Sequence, residues 1–172
     1  VTSAGTIRLR VIAELDAGGA AMRVSDNTQG DALYAVESPA FAAAPGIRNL
    51  HAPSGWTGTG YAAQRPAAPF ALLDTVYRAQ EAVRAADPQA PLRPLTVHWS
   101  AGNRAAHGDY ALGQIGGTHF RVVPAKDSAR RIDGSAHIYV MGDENVNTDE
   151  YDEGVIGHEW GHYYQWAFSR DD

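Results

Sequence analysis

Residues 155–168 read VIGHEWGHYYQWAF, and this stretch decides the architecture expected for the C-terminal part of the chain. It contains two histidines four positions apart, His158 and His162, with Glu159 directly after the first. In an α-helix, residues four apart lie one turn apart on the same face, with Cβ atoms about 5–6 Å apart. The apolar residues of the stretch fall on a different face. We therefore predict a helix over about residues 149–168 that packs into a core and presents both histidines on one side.

The two histidines and the glutamate also predict a chemistry. Two imidazoles at this spacing can bind one tetrahedral zinc ion, with Zn–N distances of about 2.0–2.1 Å. Glu159 is rotated about 100° from His158, which lets its carboxylate reach a water near the metal without being a ligand. Such a carboxylate takes a proton from the water as the water attacks a polarised carbonyl. The alternative is a hydrogen-bonded polar face without a metal.

Composition excludes several classes of function. The formal net charge is −6 and no run is rich in lysine or arginine, which argues against a nucleic-acid partner. No stretch approaches 18 uninterrupted apolar residues, so no transmembrane segment is predicted. The chain has no cysteine, which excludes disulfides, thiolate zinc sites and a cysteine nucleophile. The chain begins at Val1, and we therefore expect either a removed leader or an excised fragment.

Hydrophobic periodicity divides the chain into three parts and predicts an α+β fold. Period-two alternation predicts a small β-rich accessory module over residues 1–38. Residues 39–69 are rich in Ala, Gly and Pro, which predicts an irregular connecting segment. We expect Trp56 of this segment to be a core aromatic. Residues 70–172 form the third part, in which a helix near 69–88 precedes three strands at 95–100, 117–123 and 135–142 and then the histidine helix. Strands flanked by separate helices are typical of α+β domains rather than of doubly wound sheets.

The motif His158-Glu159-Trp160-Gly161-His162 resembles the signature of the zincin metallopeptidases. The resemblance implies that His158 and His162 are zinc ligands and that Glu159 is the general base of peptide-bond hydrolysis. It also implies an upper subdomain made of a twisted mixed sheet and helices, with the HExxH helix at its C-terminal end. Residues 136–142 resemble the zincin edge strand, along which an extended peptide substrate binds by β-augmentation.

The third zinc ligand distinguishes the branches of that family. The metzincin pattern requires glycine and histidine where this chain has Gln165 and Phe168, so that branch is excluded. Asp171 and Asp172 are the only later carboxylates. Coordination by one of four other histidines is a further alternative; these are His98, His107, His119 and His137. We expect instead that the chain is incomplete and that a gluzincin-like glutamate lies on a helix beyond its end, in the missing C-terminal half of the catalytic domain.

Other readings remain open from the sequence. Residues 143–154 carry carboxylates and amides at several positions of an EF-hand-like calcium loop, but Thr148 replaces the turn glycine and Gly154 the bidentate glutamate. Tyr163 and Tyr164 are alternative oxyanion donors, although packing is the preferred interpretation.

A second hypothesis for the whole chain is a non-catalytic extracytoplasmic binding module with a vestigial HExxH motif. The resemblance, to a poorly characterised group of bacterial proteins, implies a secreted, periplasmic or cell-envelope location.

Overall fold

The structure, a computed structural model, describes residues 5–17, 20–62, 64–125 and 134–168, and within these ranges it contains two α-helices and a mixed sheet. The fold is therefore α+β, as the periodicity predicts. The helices are α1 (Ala68–Ala86) and α2 (Glu153–Phe168), and short 3-10 turns occur at Asn27–Gln29 and Tyr110–Leu112. The strands are β1 (Thr6–Ile7), β2 (Arg10–Ile12), β3 (Glu14–Ala17), β4 (Ala20–Asp26), β5 (Ala32–Leu33), β6 (Ala35–Glu37), β7 (Phe41–Ala42), β8 (Leu95–Trp99), β9 (His119–Val123) and β10 (Ser135–Val140).

Five strands of the main sheet follow the order β3-β4-β8-β10-β9, and β5 pairs with the end of β4. The pairs β4–β8 and β8–β10 are parallel, whereas β3–β4 and β9–β10 are antiparallel. Both helices pack on one face of this sheet, where alternate strand residues bury their side chains. The core on that face includes Val24, Val97, Ile138, Leu72 and Tyr163. This packing fixes the position of α2 over β9 and β10.

The strand order corrects the expected accessory module over residues 1–38. In the described part of the chain, β1–β7 and β2–β6 form separate two-stranded sheets, whereas β3, β4 and β5 belong to the main sheet. The physical reason is that β4 places Met22 and Val24 on the core face, where both side chains are 0% exposed. Parallel pairing with β8 then satisfies its main chain. Met22 and Val24 of β4, with Leu15 of β3 packed against them, therefore contribute to the same core as the histidine helix.

The segment over residues 39–69 is largely irregular, as predicted, and it is attached to the core by a buried ion pair. The guanidinium of Arg65 donates to the carboxylate of Glu150 and to the carbonyl oxygen of Gly142, and the two charged side chains are 3% and 0% exposed. Burial raises the pKa of Glu150, and the nearby Arg65 charge opposes that rise. The expectation that Trp56 is a core aromatic is wrong, since it is 55% exposed and packs only against neighbours such as Tyr61.

The predicted substrate strand over residues 136–142 is not an edge strand, and this prediction is corrected. β10 lies between β8 and β9, so its main chain is paired on both sides and cannot accept an added strand. The apolar residues of β10 are buried, with Ile138 and Val140 both 0% exposed, which is the pattern of an interior strand. The outer strand on this side is β9. Among the described residues, no helix is long and apolar enough to cross a membrane.

Candidate metal centre

Helix α2 begins at Glu153, four residues later than predicted, because residues 149–152 form a turn that caps it. The carboxylate of Asp152 accepts hydrogen bonds from the main-chain N–H groups of Gly154 and Val155, at 2.9 and 3.0 Å. Such bonds satisfy donors that the first helical turn leaves without partners. The helix is then held by Ile156 and Tyr163, which are 1% and 0% exposed. The capped and packed helix gives the histidines a rigid support.

His158 and His162 lie on one face of α2, as predicted, and both side chains on that face are exposed. Their Nε2 atoms are 3.2 Å apart, and the two rings stand at 89° with centroids 4.7 Å apart. Two ligands of a tetrahedral zinc ion with Zn–N distances of about 2.0–2.1 Å have their nitrogens about 3.3–3.4 Å apart. The observed separation is close to this value, and it is also the distance of a hydrogen bond between the two rings, so it is compatible with a shared zinc ion and with the metal-free polar face.

The ring of His162 is oriented by a neighbour one turn further along the helix. Its Nδ1 lies 3.3 Å from the amide oxygen of Gln165, which accepts the Nδ1 proton in the tautomer that leaves the Nε2 lone pair available. Metal-binding histidines commonly donate their other ring N–H to such an acceptor, which fixes the ring and increases its basicity. Sequence reasoning used Gln165 only to exclude one branch of the zincins and missed this role.

Glu159 lies beside the histidines but is largely buried, at 8% exposure. Its Oε2 accepts a 2.8 Å hydrogen bond from the main-chain N–H of Phe120 on β9. No hydrogen bond within the described part of the chain engages its Oε1. One oxygen of the carboxylate is thus fixed against the edge strand, and the other remains for water or substrate. The part played by Phe120 has no signal in the sequence, because the contact depends on the strand order.

The described residues do not bring a third metal-binding side chain to His158 and His162. No group of three or more histidine, aspartate or glutamate side chains suited to a metal ion occurs in the described ranges. His98 and His137 lie on the opposite face of the sheet and bond to each other, and His119 bonds to the hydroxyl of Tyr110 at 3.1 Å. Asp171 and Asp172 lie outside the described residues.

Two further predictions concern the surroundings of the site. Tyr163 packs in the core, as preferred, and its hydroxyl donates to the carbonyl of Arg93 at 2.8 Å and accepts from the main-chain N–H of the same residue at 2.7 Å. Burial raises the pKa of Tyr163. In the calcium-like loop, the carboxylate of Asp143 accepts from the main chain of Asn145, and Asp149 accepts from Thr118 at 2.5 Å. The first bond is local to the loop, and the second connects the loop to the segment before β9.

Comparison of the chain with protein-family models, with curated proteins and with solved structures finds no match. The zincin resemblance therefore rests on the HExxH motif itself. The function has to be argued from the geometry of His158, Glu159 and His162 and from the strand that lies beside them.

Proposed function

We propose that the protein is a zinc-dependent hydrolase of peptide bonds whose metal ligands include His158 and His162. The observation that carries the proposal is the 3.2 Å separation of the two Nε2 atoms on a capped, packed helix, with a glutamate directly beside them. Two exposed imidazoles whose Nε2 atoms lie at this distance can bind one ion. We place the third protein ligand, a carboxylate of the gluzincin type, outside the described residues.

The chain's own residues supply the remaining chemistry. A zinc ion held by His158 and His162 would supply a Lewis acid for a substrate carbonyl and would lower the pKa of a water. Glu159 accepts the proton of the attacking water through Oε1 and later donates it to the leaving amine. The N–H of Phe120 holds Oε2 and thereby orients the carboxylate. Gln165 holds the ring of His162.

The substrate binds as an extended peptide along β9, which takes the place of the strand first predicted for this role. Phe120 lies opposite Ile138 on β10, and its N–H is directed outward to Glu159. Residues two apart in an antiparallel strand present their main chain to the same side, so the main chain of Val122 also faces outward. An added peptide strand on this edge passes next to Glu159, which is the geometry that β-augmentation provides.

The experiment compares the full-length protein with its Glu159→Gln variant. We expect zinc to co-purify with both proteins and peptide hydrolysis to fall by about 10²–10⁴-fold in the variant, which is the usual contribution of a general base. A His158→Asn/His162→Asn double variant should lose the metal as well. Equal hydrolysis by the wild type and Glu159→Gln proteins would contradict the assigned base. Absence of zinc from the intact protein would instead favour the binding module with a vestigial motif.

A further inference from the structure

The face of the sheet opposite the helices carries a second set of histidines. On β8 and β10, residues such as Val97 and Ile138 face the core, so the alternate residues His98, His137 and Tyr139 face the other way. His98 is 4% exposed and its ring stacks on Tyr139 with centroids 4.4 Å apart. This arrangement encloses a polar cluster that the zinc site does not use.

A continuous chain of hydrogen bonds connects a carboxylate to a serine through two imidazoles. Asp31 Oδ1 lies 3.0 Å from His98 Nδ1, and His98 Nε2 lies 2.8 Å from His137 Nδ1. His137 Nε2 then lies 2.8 Å from the hydroxyl oxygen of Ser135, which is exposed at the start of β10. Side chains from three separate segments of the chain, at Asp31, His98 and residues 135–137, are thereby joined by hydrogen bonds.

The direction of the protons along this chain follows from its charged end. An ionised Asp31 only accepts, so His98 carries its proton on Nδ1 and accepts at Nε2. His137 must then donate from Nδ1 and accept at Nε2, which leaves the hydroxyl of Ser135 as the last donor. Burial lowers the pKa of His98 to about 4 and also lowers the pKa of His137, so both rings are neutral at pH 7. The serine proton is therefore directed at an oriented base.

The main chain at Asp31 is held in an uncommon conformation. Its φ angle is 58°, in the left-handed region, directly after Gly30 at 63°. A non-glycine residue in this region is uncommon, and such residues concentrate at functional sites. Here the conformation brings a carboxylate that is 65% exposed onto the buried ring of His98, where the hydroxyl of Ser25 also lies 3.2 Å from Nδ1.

We propose that Ser135 is the nucleophile of a second hydrolytic site, which acts on carboxylic esters. The serine oxygen attacks the ester carbonyl carbon and forms a new C–O bond while its proton passes to His137 Nε2. The alcohol oxygen leaves as its C–O bond breaks and takes that proton. Water then attacks the acyl-serine with the same base, which releases the acid and restores Ser135. His98 and Asp31 are positioning residues that hold the ring of His137.

Two arginines lie near His137. Arg121 lies directly opposite His137 on β9, and Arg23 bonds to Thr96 at 3.1 Å in the same row of the sheet. The charges of both arginines lower the pKa of His137, in addition to the larger effect of burial. The guanidinium of Arg121 lies over the ring of Tyr110, with its Cζ atom 5.4 Å from the ring centroid.

The test uses a fluorescent fluorophosphonate, which bonds to activated serines with loss of fluoride. We expect covalent labelling of the whole chain at Ser135, located by peptide mass spectrometry, and loss of the label in Ser135→Ala. Ser54→Ala is the matched control, because Ser54 is exposed and its hydroxyl oxygen accepts only a local main-chain bond from Trp56. Labelling should persist in a zinc chelator, which separates this site from the zinc site. An unlabelled wild-type chain, or a label that survives in Ser135→Ala, would overturn the proposal.

The Asp31→Asn variant tests whether the hydrogen bonds from Asp31 through His98 position His137. Asparagine tolerates the left-handed region, so the main-chain conformation should be kept. We expect labelling to slow at least tenfold at pH 7. The Asp31 charge raises the pKa of His137 against the larger effect of burial, so its removal should move the acid limb of the pH–rate profile to lower pH. An unchanged rate and an unchanged profile would show that Asp31 and His98 do not position the base.

Discussion

The two histidine pairs of this protein lie on different elements and in opposite environments. His158 and His162 are exposed on α2, and their Nε2 atoms converge 3.2 Å apart on the solvent side of the helix. His98 and His137 lie on adjacent strands of the sheet, where Nε2 of one faces Nδ1 of the other at 2.8 Å. In the first pair, the same nitrogen of each ring faces the other, whereas in the second pair Nε2 of His98 bonds to Nδ1 of His137.

This difference shows that the chemistry of a histidine pair is set by geometry and surroundings. Convergent lone pairs on an exposed helix suit a metal ion, which needs several donors directed at the same place. The partly buried pair His98 and His137 does not direct two nitrogens at one metal position. Instead, the hydrogen bond of His98 to Asp31 sets which nitrogen of each ring carries the proton. The predictions below test whether the two pairs are as distinct as their geometry indicates.

The largest expected effect is a loss of stability in acid caused by the sheet pair. The pKa of His98 falls from 6.5 in the unfolded chain to about 4 in the fold because of burial. As the pH decreases from about 6.5 to 4, the unfolded chain binds a proton that the folded chain does not, so the free energy of unfolding decreases. We expect a loss of about 3 kcal/mol, measured by urea unfolding at several pH values.

The helix pair supplies the control for this prediction. A His158→Asn/His162→Asn variant should show the same loss in acid, because His98 and His137 are unchanged. The titration of His98 can also be followed directly by NMR from the ring C–H resonances. A midpoint near 6.5 for His98 would show that the sheet pair is not buried as described.

A smaller effect is expected when the support of His162 is removed. Gln165→Ala eliminates the amide oxygen that lies 3.3 Å from His162 Nδ1. Loss of such a partner costs about 10–100-fold in metal affinity, and calorimetric titration with zinc measures it. Gln89→Ala is the matched control, since Gln89 is an exposed glutamine in the turn after α1 and makes no described hydrogen bond to His158 or His162. Equal zinc affinity in both variants would mean that Gln165 does not orient the ring.

The smallest effect concerns the main-chain donor to Glu159. Phe120→Pro removes the N–H while an edge strand tolerates proline, and Phe120→Ala controls for the loss of the ring. We expect peptide hydrolysis by the proline variant to be about tenfold slower than by the alanine variant, as for loss of about 1.5 kcal/mol from a charge-assisted hydrogen bond. Zinc content should be equal. A proline variant as fast as the alanine variant would remove Phe120 from the site.

Local features of the site could be predicted from the sequence, because they depend on neighbours along one helix. His158 and His162 lie on the same face of α2 because of their spacing. The predicted strand over residues 135–142 is confirmed for Ser135–Val140. Strand order could not be predicted, since it depends on pairing between distant segments. For that reason β9 was not recognised as the outer strand beside Glu159. The contact between Asp31 and His98 was missed for the same reason.

The most direct test is anomalous diffraction at the zinc absorption edge from crystals of the zinc-loaded protein. The account predicts a single strong peak bonded to Nε2 of both His158 and His162 at about 2.0–2.1 Å, with no zinc on the opposite face of the sheet. A peak between His98 and His137, or a zinc-loaded crystal in which neither helix histidine is a ligand, would contradict it.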